Sequence, residues 1–374
     1  MRLTYFVHDT SHADIPRRVE MLTLGGASVD MLGFRRGGQP DPRLSVPVFD
    51  LGQTKDAALG HRATAVLKAI LSLPRWAHRA KSADVIMARN LEMLLLAALA
   101  KMWSGSKAPL VYECLDIHDV MSSGRGAGAP LRMLERTLVN GCAALMVSSP
   151  GFVREYFAKL TARLPKVILV ENKVAADADL IARIPDNGLA SRAPWRIGWF
   201  GVVRCKRSLG LLRELVRRNP GRVEVVIAGR AAADQVGDLK VELADEPGMT
   251  FHGRFADEAE LASLFRGCHF AWVMDFYQSG ANSDWLLPNR LYRACYYGAV
   301  PIVDGRVETG RWTAEHAAGV VLDDVTVERL EALVRGYEAA DYDAAKAALA
   351  AIPTEALISD DRDCRELVQQ LSAL

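Results

Sequence analysis

The stretch Ser279-Gly280-Ala281-Asn282-Ser283-Asp284-Trp285-Leu286-Leu287-Pro288-Asn289-Arg290-Leu291-Tyr292-Arg293-Ala294-Cys295-Tyr296-Tyr297-Gly298-Ala299-Val300-Pro301-Ile302-Val303 decides how the rest of the chain is read. It begins as a loop of small and polar residues. Pro288 stands where a helix starts, a place that suits a residue with fixed φ and no N–H. Gly298 stands where that helix ends, and Val300-Pro301-Ile302-Val303 enters a strand. Asn289 and Arg290 therefore fall in the first helical turn, beside backbone N–H groups that lack a partner inside the helix. Such a turn, preceded by Ser279, Gly280 and Asn282, can hold a ribose and a pyrophosphate. The plainer alternative is a capped helix with an exposed arginine.

The same alternation of strand-length apolar runs and helical patterns extends in both directions. Upstream, 196–200 reads as a strand ending at Gly201, 209–218 as a helix, 223–228 as a strand ending at Gly229, 249–252 as a strand ending at Gly253, 258–265 as a helix and 270–274 as a strand. Downstream, 327–337, 342–349 and 362–371 read as helices. Further upstream, 172–194 breaks the pattern with Asp177, Asp179, Pro185, Asp186, Asn187, Gly188 and Pro194, which is the composition of a linker. Before it, strands at 3–8, 29–34, 46–51, 83–88, 110–114, 144–148 and 167–170 alternate with helices at 15–24, 57–72, 91–103, 131–140 and 153–160. Strands separated by helices imply crossover connections and parallel sheets covered on both faces. The expected fold is α/β, with two Rossmann-like doubly wound domains whose ligand crevices lie at the carboxyl ends of the strands and face each other across a cleft. The expected boundaries are a first domain at 1–172, a linker at 173–195 and a second domain at 196–355. A terminal helix at 356–374 is expected to pack back on the first domain.

Composition removes several classes. At about 100–200 residues per domain, 374 residues allow two or three domains. Lys and Arg number 46 against 45 for Asp and Glu, a net charge of +1, so the whole chain cannot grip nucleic acid electrostatically. Mean hydropathy is +0.05. The longest apolar run, 93–100, is closed by Lys101 and falls well short of the roughly 18 residues of a spanning helix. The opening Met1-Arg2-Leu3-Thr4-Tyr5-Phe6-Val7-His8-Asp9 reads as a strand and not as a signal peptide, so a cytoplasmic protein is expected. Cys114, Cys142, Cys205, Cys268, Cys295 and Cys364 form no CxxC pair and read as free thiols, with no zinc site.

The chain has no GxGxxG after a strand, no GxxxxGK[ST], no GxSxG and no HExxH, which argues against dinucleotide oxidoreductases, P-loop NTPases, serine hydrolases and zinc peptidases. It does carry Gly198-Trp199-Phe200-Gly201-Val202-Val203-Arg204-Cys205-Lys206-Arg207-Ser208. There a strand ends in a glycine, and a short loop brings Arg204, Lys206 and Arg207 to a helix start. Close backbone approach, free N–H groups and three cations make a diphosphate site; an ordinary strand-to-helix turn with solvated charges is the alternative. In the first half, Asp116 and His118 follow a strand and project at its carboxyl edge, where a carboxylate or imidazole can take a hydroxyl proton; the alternative is that Asp116 and Asp119 merely cap the following loop. Pro74-Arg75-Trp76-Ala77-His78-Arg79-Ala80-Lys81 joins cations to an aromatic after an apolar helix, so it suits either an anionic membrane surface or a solvated helix end.

The helix between Pro288 and Gly298 and the Val300-Pro301-Ile302-Val303 strand resemble the second domain of GT-B-fold glycosyltransferases. The opening strand ending in His8-Asp9, the Phe34-Arg35-Arg36 after the second strand and the segment Tyr112-Glu113-Cys114-Leu115-Asp116-Ile117-His118-Asp119 are similar too. The resemblance is to bacterial exopolysaccharide enzymes of the succinoglycan-biosynthesis type, related to glycosyltransferase family 4, and more distantly to the xanthan-type glucuronosyltransferases. It implies transfer of a sugar from a nucleotide donor, UDP-linked, to a saccharide or polyprenyl-diphosphate-linked oligosaccharide in cell-surface polysaccharide assembly. It implies a peripheral place on the cytoplasmic face of the inner membrane and no cofactor or metal, with Arg204, Lys206 and Arg290 neutralising the leaving diphosphate. Asp116 would be the base of an inverting transfer, and His118 would line the donor site. His8, Asp9 and His12 would meet the acceptor. Arg230, Gly253 and Arg254 would lie where the nucleobase sits. The glutamate pair that many family 4 enzymes carry around this helix is missing. Arg293 takes the second position, and Trp285, beside Asp284, the first. Its absence leaves retention or inversion open. A nucleotide-sugar epimerase of the same architecture and a non-catalytic subunit are the alternatives.

Overall fold

The computed structural model describes the chain except residues 13, 37, 55–58, 123–127 and 177–180. Asp177 and Asp179 of the expected linker, and residues 57–58 of the expected helix start, therefore lie outside the described residues. The chain forms two compact units, Met1–Glu171 with Asp360–Leu374, and Asn172–Ser359.

The first unit is built on seven parallel strands. These are β1 (Arg2–Val7), β2 (Ser28–Arg35), β3 (Val48–Gln53), β4 (Val85–Arg89), β5 (Leu110–Cys114), β6 (Ala144–Val147) and β7 (Lys166–Leu169). Their order is β3-β2-β1-β4-β5-β6-β7, so the direction of growth reverses between β1 and β4. Every residue of β4, β5 and β6 is buried, as expected for strands covered on both faces. The longer helices are α1 (Asp14–Leu24), α2 (Leu59–Leu71), α3 (Leu91–Ser104) and α4 (Ala129–Asn140).

The second unit contains β9 (Trp195–Val203), β10 (Val223–Ala231), β11 (Met249–Gly253), β12 (Phe270–Trp272), β13 (Val300–Asp304) and β14 (Val320–Leu322), after the short β8 (Val174–Ala175). The order is β11-β10-β9-β12-β13-β14, all parallel, reversing between β9 and β12. Its helices are α5 (Lys206–Arg218), α6 (Glu258–Arg266), α7 (Asn289–Tyr296), α8 (Glu308–Glu315), α9 (Val327–Gly336) and α10 (Ala339–Ala351). Side-chain alternation along the strands builds two cores. Ile197, Trp199, Val225 and Ile227 pack with Leu212 and Leu215 of α5. On the opposite face, Phe200 and Ala228 pack with Phe265 of α6 and Leu291 of α7. A separate two-stranded sheet pairs β8 with β15 (Ile358–Ser359). The last helix, α11 (Asp361–Ser372), belongs to the first unit and buries Cys364, Leu367, Val368 and Leu371. It packs on α1 closely enough that a Cβ on Gly25 would fall 2.2 Å from the Cys364 carbonyl.

The structure differs from the sequence reading in several places. The segment expected as a linker folds into the second unit. Ile184 N–H donates to Tyr296 O at 3.0 Å. The Asn187 side-chain amide donates to the Cys268 and Gly298 carbonyls, and Arg183 to those of Leu349 and Ile352. The segment is held by polar side chains meeting carbonyls, so it shows no apolar period. Trp76 is also not presented to solvent. It is 1% exposed and packs edge-on against Phe6, while Arg79 pairs with Asp30. Pro288 is the N-cap of α7, with extended ψ of 149°, and not its first helical residue.

Candidate functional site

At the carboxyl edge of the second unit's sheet, β9 and β10 come together through two glycines. Gly201 and Gly229 have φ of 117° and 128°, and a Cβ on Gly229 would lie 1.9 Å from the Gly201 carbonyl oxygen. Only glycine fits there, and it leaves the edge bare of side chains. The chain then turns through Arg204 into α5, where the Cys205 sulfur caps the Ser208 N–H at 3.3 Å. Lys206 and Arg207 open the helix, and Lys206 is exposed.

Asp275 organises the cations. Its Oδ1 accepts the Tyr277 N–H at 2.9 Å. Its Oδ2 accepts Nε and Nη2 of Arg204 at 3.3 and 3.1 Å and lies 3.8 Å from Nη2 of Arg290. The Tyr277 ring covers the Arg204 guanidinium at 4.8 Å, and the Phe276 ring covers that of Arg207 at 4.2 Å. Arg290 stands in the first turn of α7, and its Nη1 is buried with no partner among the described residues. Burial presses the Arg290 pKa down; Asp275 opposes this, and the like charge of Arg204 adds to it. Arg290 lines a cavity with Asp275, Phe276, Ser283, Asp284 and Asp304. Burial raises the Asp284 carboxyl, partly offset by a hydrogen bond from Gly280 N–H at 2.7 Å.

The other expected donor residues are spread along this edge. Arg230 and Arg254 are exposed at the ends of β10 and β11, beside Gly253, and form no ion pair among the described residues. Ser279 and Gly280 are exposed in the loop, Asn282 is buried in a short helix, and Asn289 is half-buried. Arg293 is committed elsewhere. Its Nε and Nη2 form a fork on Glu258 of α6 at 2.8 and 2.9 Å.

In the first unit, the carboxyl edge where the strand order reverses carries His8 and Asp9 after β1. Asp9 Oδ1 accepts Ser11 Oγ–H and N–H and the Arg36 N–H. The His8 ring lies 5.8 Å from that of His12, and its Nδ1 is buried without a partner among the described residues. Burial, with the charges of Arg36 and Arg89, holds His8 well below its ordinary pKa, so it is a neutral imidazole at pH 7. Beneath it lies a charged network. Fully buried Glu113 accepts Arg18 Nε at 2.7 Å, Arg89 Nε and Nη2 at 2.7 and 3.0 Å, and the Tyr5 hydroxyl. Asp116 and His118 are exposed in the loop after β5, and His118 Nδ1 accepts the Val120 N–H at 3.4 Å. With strands about 4.8 Å apart, β1 and β5 ends are roughly 10 Å from each other across β4. His8 and Asp116 thus share an edge without touching.

The reading from sequence missed Asp275, Phe276 and Tyr277. The only available signal was that they follow a strand next to the switch point, where α/β sheets bind ligands.

Two parallel, doubly wound units with ligand-type edges define the GT-B fold, and comparisons agree. The glycosyl transferase 4-like domain model matches residues 16–173. The succinoglycan biosynthesis protein ExoL of Rhizobium meliloti (strain 1021) is 38% identical over 378 residues, spanning 100% of this chain and 94% of that one. Among solved structures, Anabaena Alr3699/HepE in complex with UDP superposes with a TM-score of 0.69 at 17% identity, and both chains are covered in full. The lipopolysaccharide outer core galactosyltransferase WaaB gives 0.69 at 14% identity, again over both full chains. This chain belongs to the family of GT-B-fold bacterial exopolysaccharide glycosyltransferases of the succinoglycan-biosynthesis type. It is a glycosyltransferase, and the epimerase and non-catalytic alternatives are not favoured. Among the described residues no helix is long and apolar enough to cross a membrane.

Proposed function

We propose that the second unit binds a UDP-sugar and that the first receives a saccharide or polyprenyl-diphosphate-linked oligosaccharide on the cytoplasmic face of the inner membrane. The observation that carries the donor reading is Arg290. Its Nη1 is buried and has no partner among the described residues, the residue stands in the first turn of a helix, and Asp275 is shared between it and Arg204. An anion completes that arrangement. The UDP complex of the similar HepE fold supports uracil as the base. Arg204, Lys206 and Arg290 neutralise the leaving diphosphate without a metal, the electrostatic task a metal serves in other enzymes. Gly201 and Gly280 give backbone access. Ser279, Asn282, Pro288 and Asn289 shape the ribose and pyrophosphate pocket, and Arg230, Gly253 and Arg254 flank the base. In the first unit, neutral His8 with Asp9 and His12 holds the acceptor, and Asp116 takes the acceptor hydroxyl proton with His118 beside it.

Two variants test the assignment. A charged hydrogen bond contributes about 1.5–3 kcal/mol, so Arg290→Ala should weaken UDP binding roughly ten- to a hundredfold by calorimetry. Asp116→Asn should leave UDP binding intact and lower sugar transfer by about 10²–10⁴, the usual loss on removing a general base. Unchanged UDP affinity in the first variant removes Arg290 from the site. Near-normal turnover in the second, at saturating acceptor, places the base elsewhere.

A further inference from the structure

The loop after β12 does more than connect β12 to α7. Asp275, Phe276 and Tyr277 each engage one or two of the arginines that surround the diphosphate site, and none of the three residues follows from the motif reading. The carboxylate is fixed before any ligand arrives, because its Oδ1 is held by the Tyr277 N–H at 2.9 Å. Its other oxygen faces both Arg204 and Arg290, and its side chain is 10% exposed. Two guanidinia this near each other repel, and Arg204, with a side chain 32% exposed, has room to swing into water. A guanidinium offers five N–H donors, so one shared carboxylate uses only part of each fork. The unused Nη1 of Arg290 belongs to a residue that lines the cavity. The Tyr277 ring lies against the Arg204 guanidinium, with the ring centre 4.8 Å from the guanidinium carbon.

We infer that Asp275 is a positioning residue for diphosphate recognition. It holds Arg204 and Arg290 side by side, with their remaining donors arranged for the anion, and Tyr277 fixes Arg204 from above. This rests on the donor reading given above. Such preorganisation lowers the ordering cost of binding, so its loss appears in affinity for the diphosphate portion.

The test is titration of UDP and of inorganic pyrophosphate into the full-length protein by calorimetry, with unfolding temperature as the control. Asp275→Asn should raise the Kd for both probes at least tenfold at an unchanged unfolding temperature. In the Asp275→Asn background, Arg204→Ala should cost less than threefold more, because the cation it removes is already misplaced. Asp275→Glu should recover part of the affinity. Tyr277→Leu removes the ring but keeps the carboxylate and should weaken UDP three- to tenfold, which provides a second measurement if Asp275→Asn fails to fold. Wild-type affinity or tighter binding in Asp275→Asn, or full additivity with Arg204→Ala, overturns the inference and leaves the donor reading standing. A wild-type protein that binds neither UDP, GDP, ADP nor pyrophosphate overturns both.

Discussion

Two buried glutamates in the first unit respond oppositely to their surroundings, and each sets a measurable pH dependence. Burial alone would raise the Glu113 carboxyl, but Arg89 and Arg18 outweigh it and bring it down to about 2 from the ordinary 4.5. Its contribution to stability is therefore present above 4.5 and lost as pH falls towards 2. Glu113→Gln strands two guanidinia in the core, and breaking a buried pair costs about 3–5 kcal/mol, read by urea unfolding at pH 7. Glu135 is also buried, but among the described residues its carboxylate accepts hydrogen bonds only from the hydroxyls of Tyr112 and Tyr156. Burial raises its pKa, and the two tyrosines offset this only in part. The folded state thus favours the protonated form, and stability falls as pH rises above 4.5 through the raised value. Glu135→Gln should be more stable than the parent at pH 8, with the gap closing by pH 4. At this scale the sequence located Arg204, Arg290, His8 and Asp116 at strand ends and a helix start, which is where the structure has them. It hid Asp275, whose bond to Arg204 spans 71 positions, and Glu113, whose bond to Arg18 spans 95. Pairings over such separations leave no spacing to read.

Elements were legible wherever they had an apolar period. The strands and most helices of both sheets fall within a few residues of their expected places, because buried parallel strands read as short apolar runs. The helix α8 and the strand β14 were missed. Trp312 and Thr313 are buried among polar neighbours of α8, and β14 is only three residues long and half-buried. The region proposed for membrane contact changes in composition for the same kind of reason. Trp76 serves the core, so the exposed apolar groups come from the preceding helix, where Leu67 is 55% and Leu71 76% exposed. Lys68, Arg75 and Lys81 are exposed nearby. Basic residues near an anionic surface contribute about 1 kcal/mol each, so the protein should co-sediment with phosphatidylglycerol-containing vesicles at low salt. The triple charge reversal Lys68→Glu, Arg75→Glu and Lys81→Glu should release it. Equal sedimentation of parent and variant removes this helix from the proposal.

The whole molecule consists of two units with separate cores, and that separation is testable by heat. A ligand that binds one folded unit stabilises that unit, by about 2.7 kcal/mol at a hundred times its Kd. UDP should therefore shift the calorimetric transition of the second unit and leave that of the first in place. A shift of both transitions together shows that the units melt as one. The chain enters the second unit at Asn172 and leaves it at Ser359, and β8 and β15, which flank those two points, pair as neighbouring parallel strands. The second unit is thus an insert tied at a single knot within the first unit's sequence. Recombination between relatives can exchange it as one cassette while all seven strands and the closing helix of the first unit stay from the same parent.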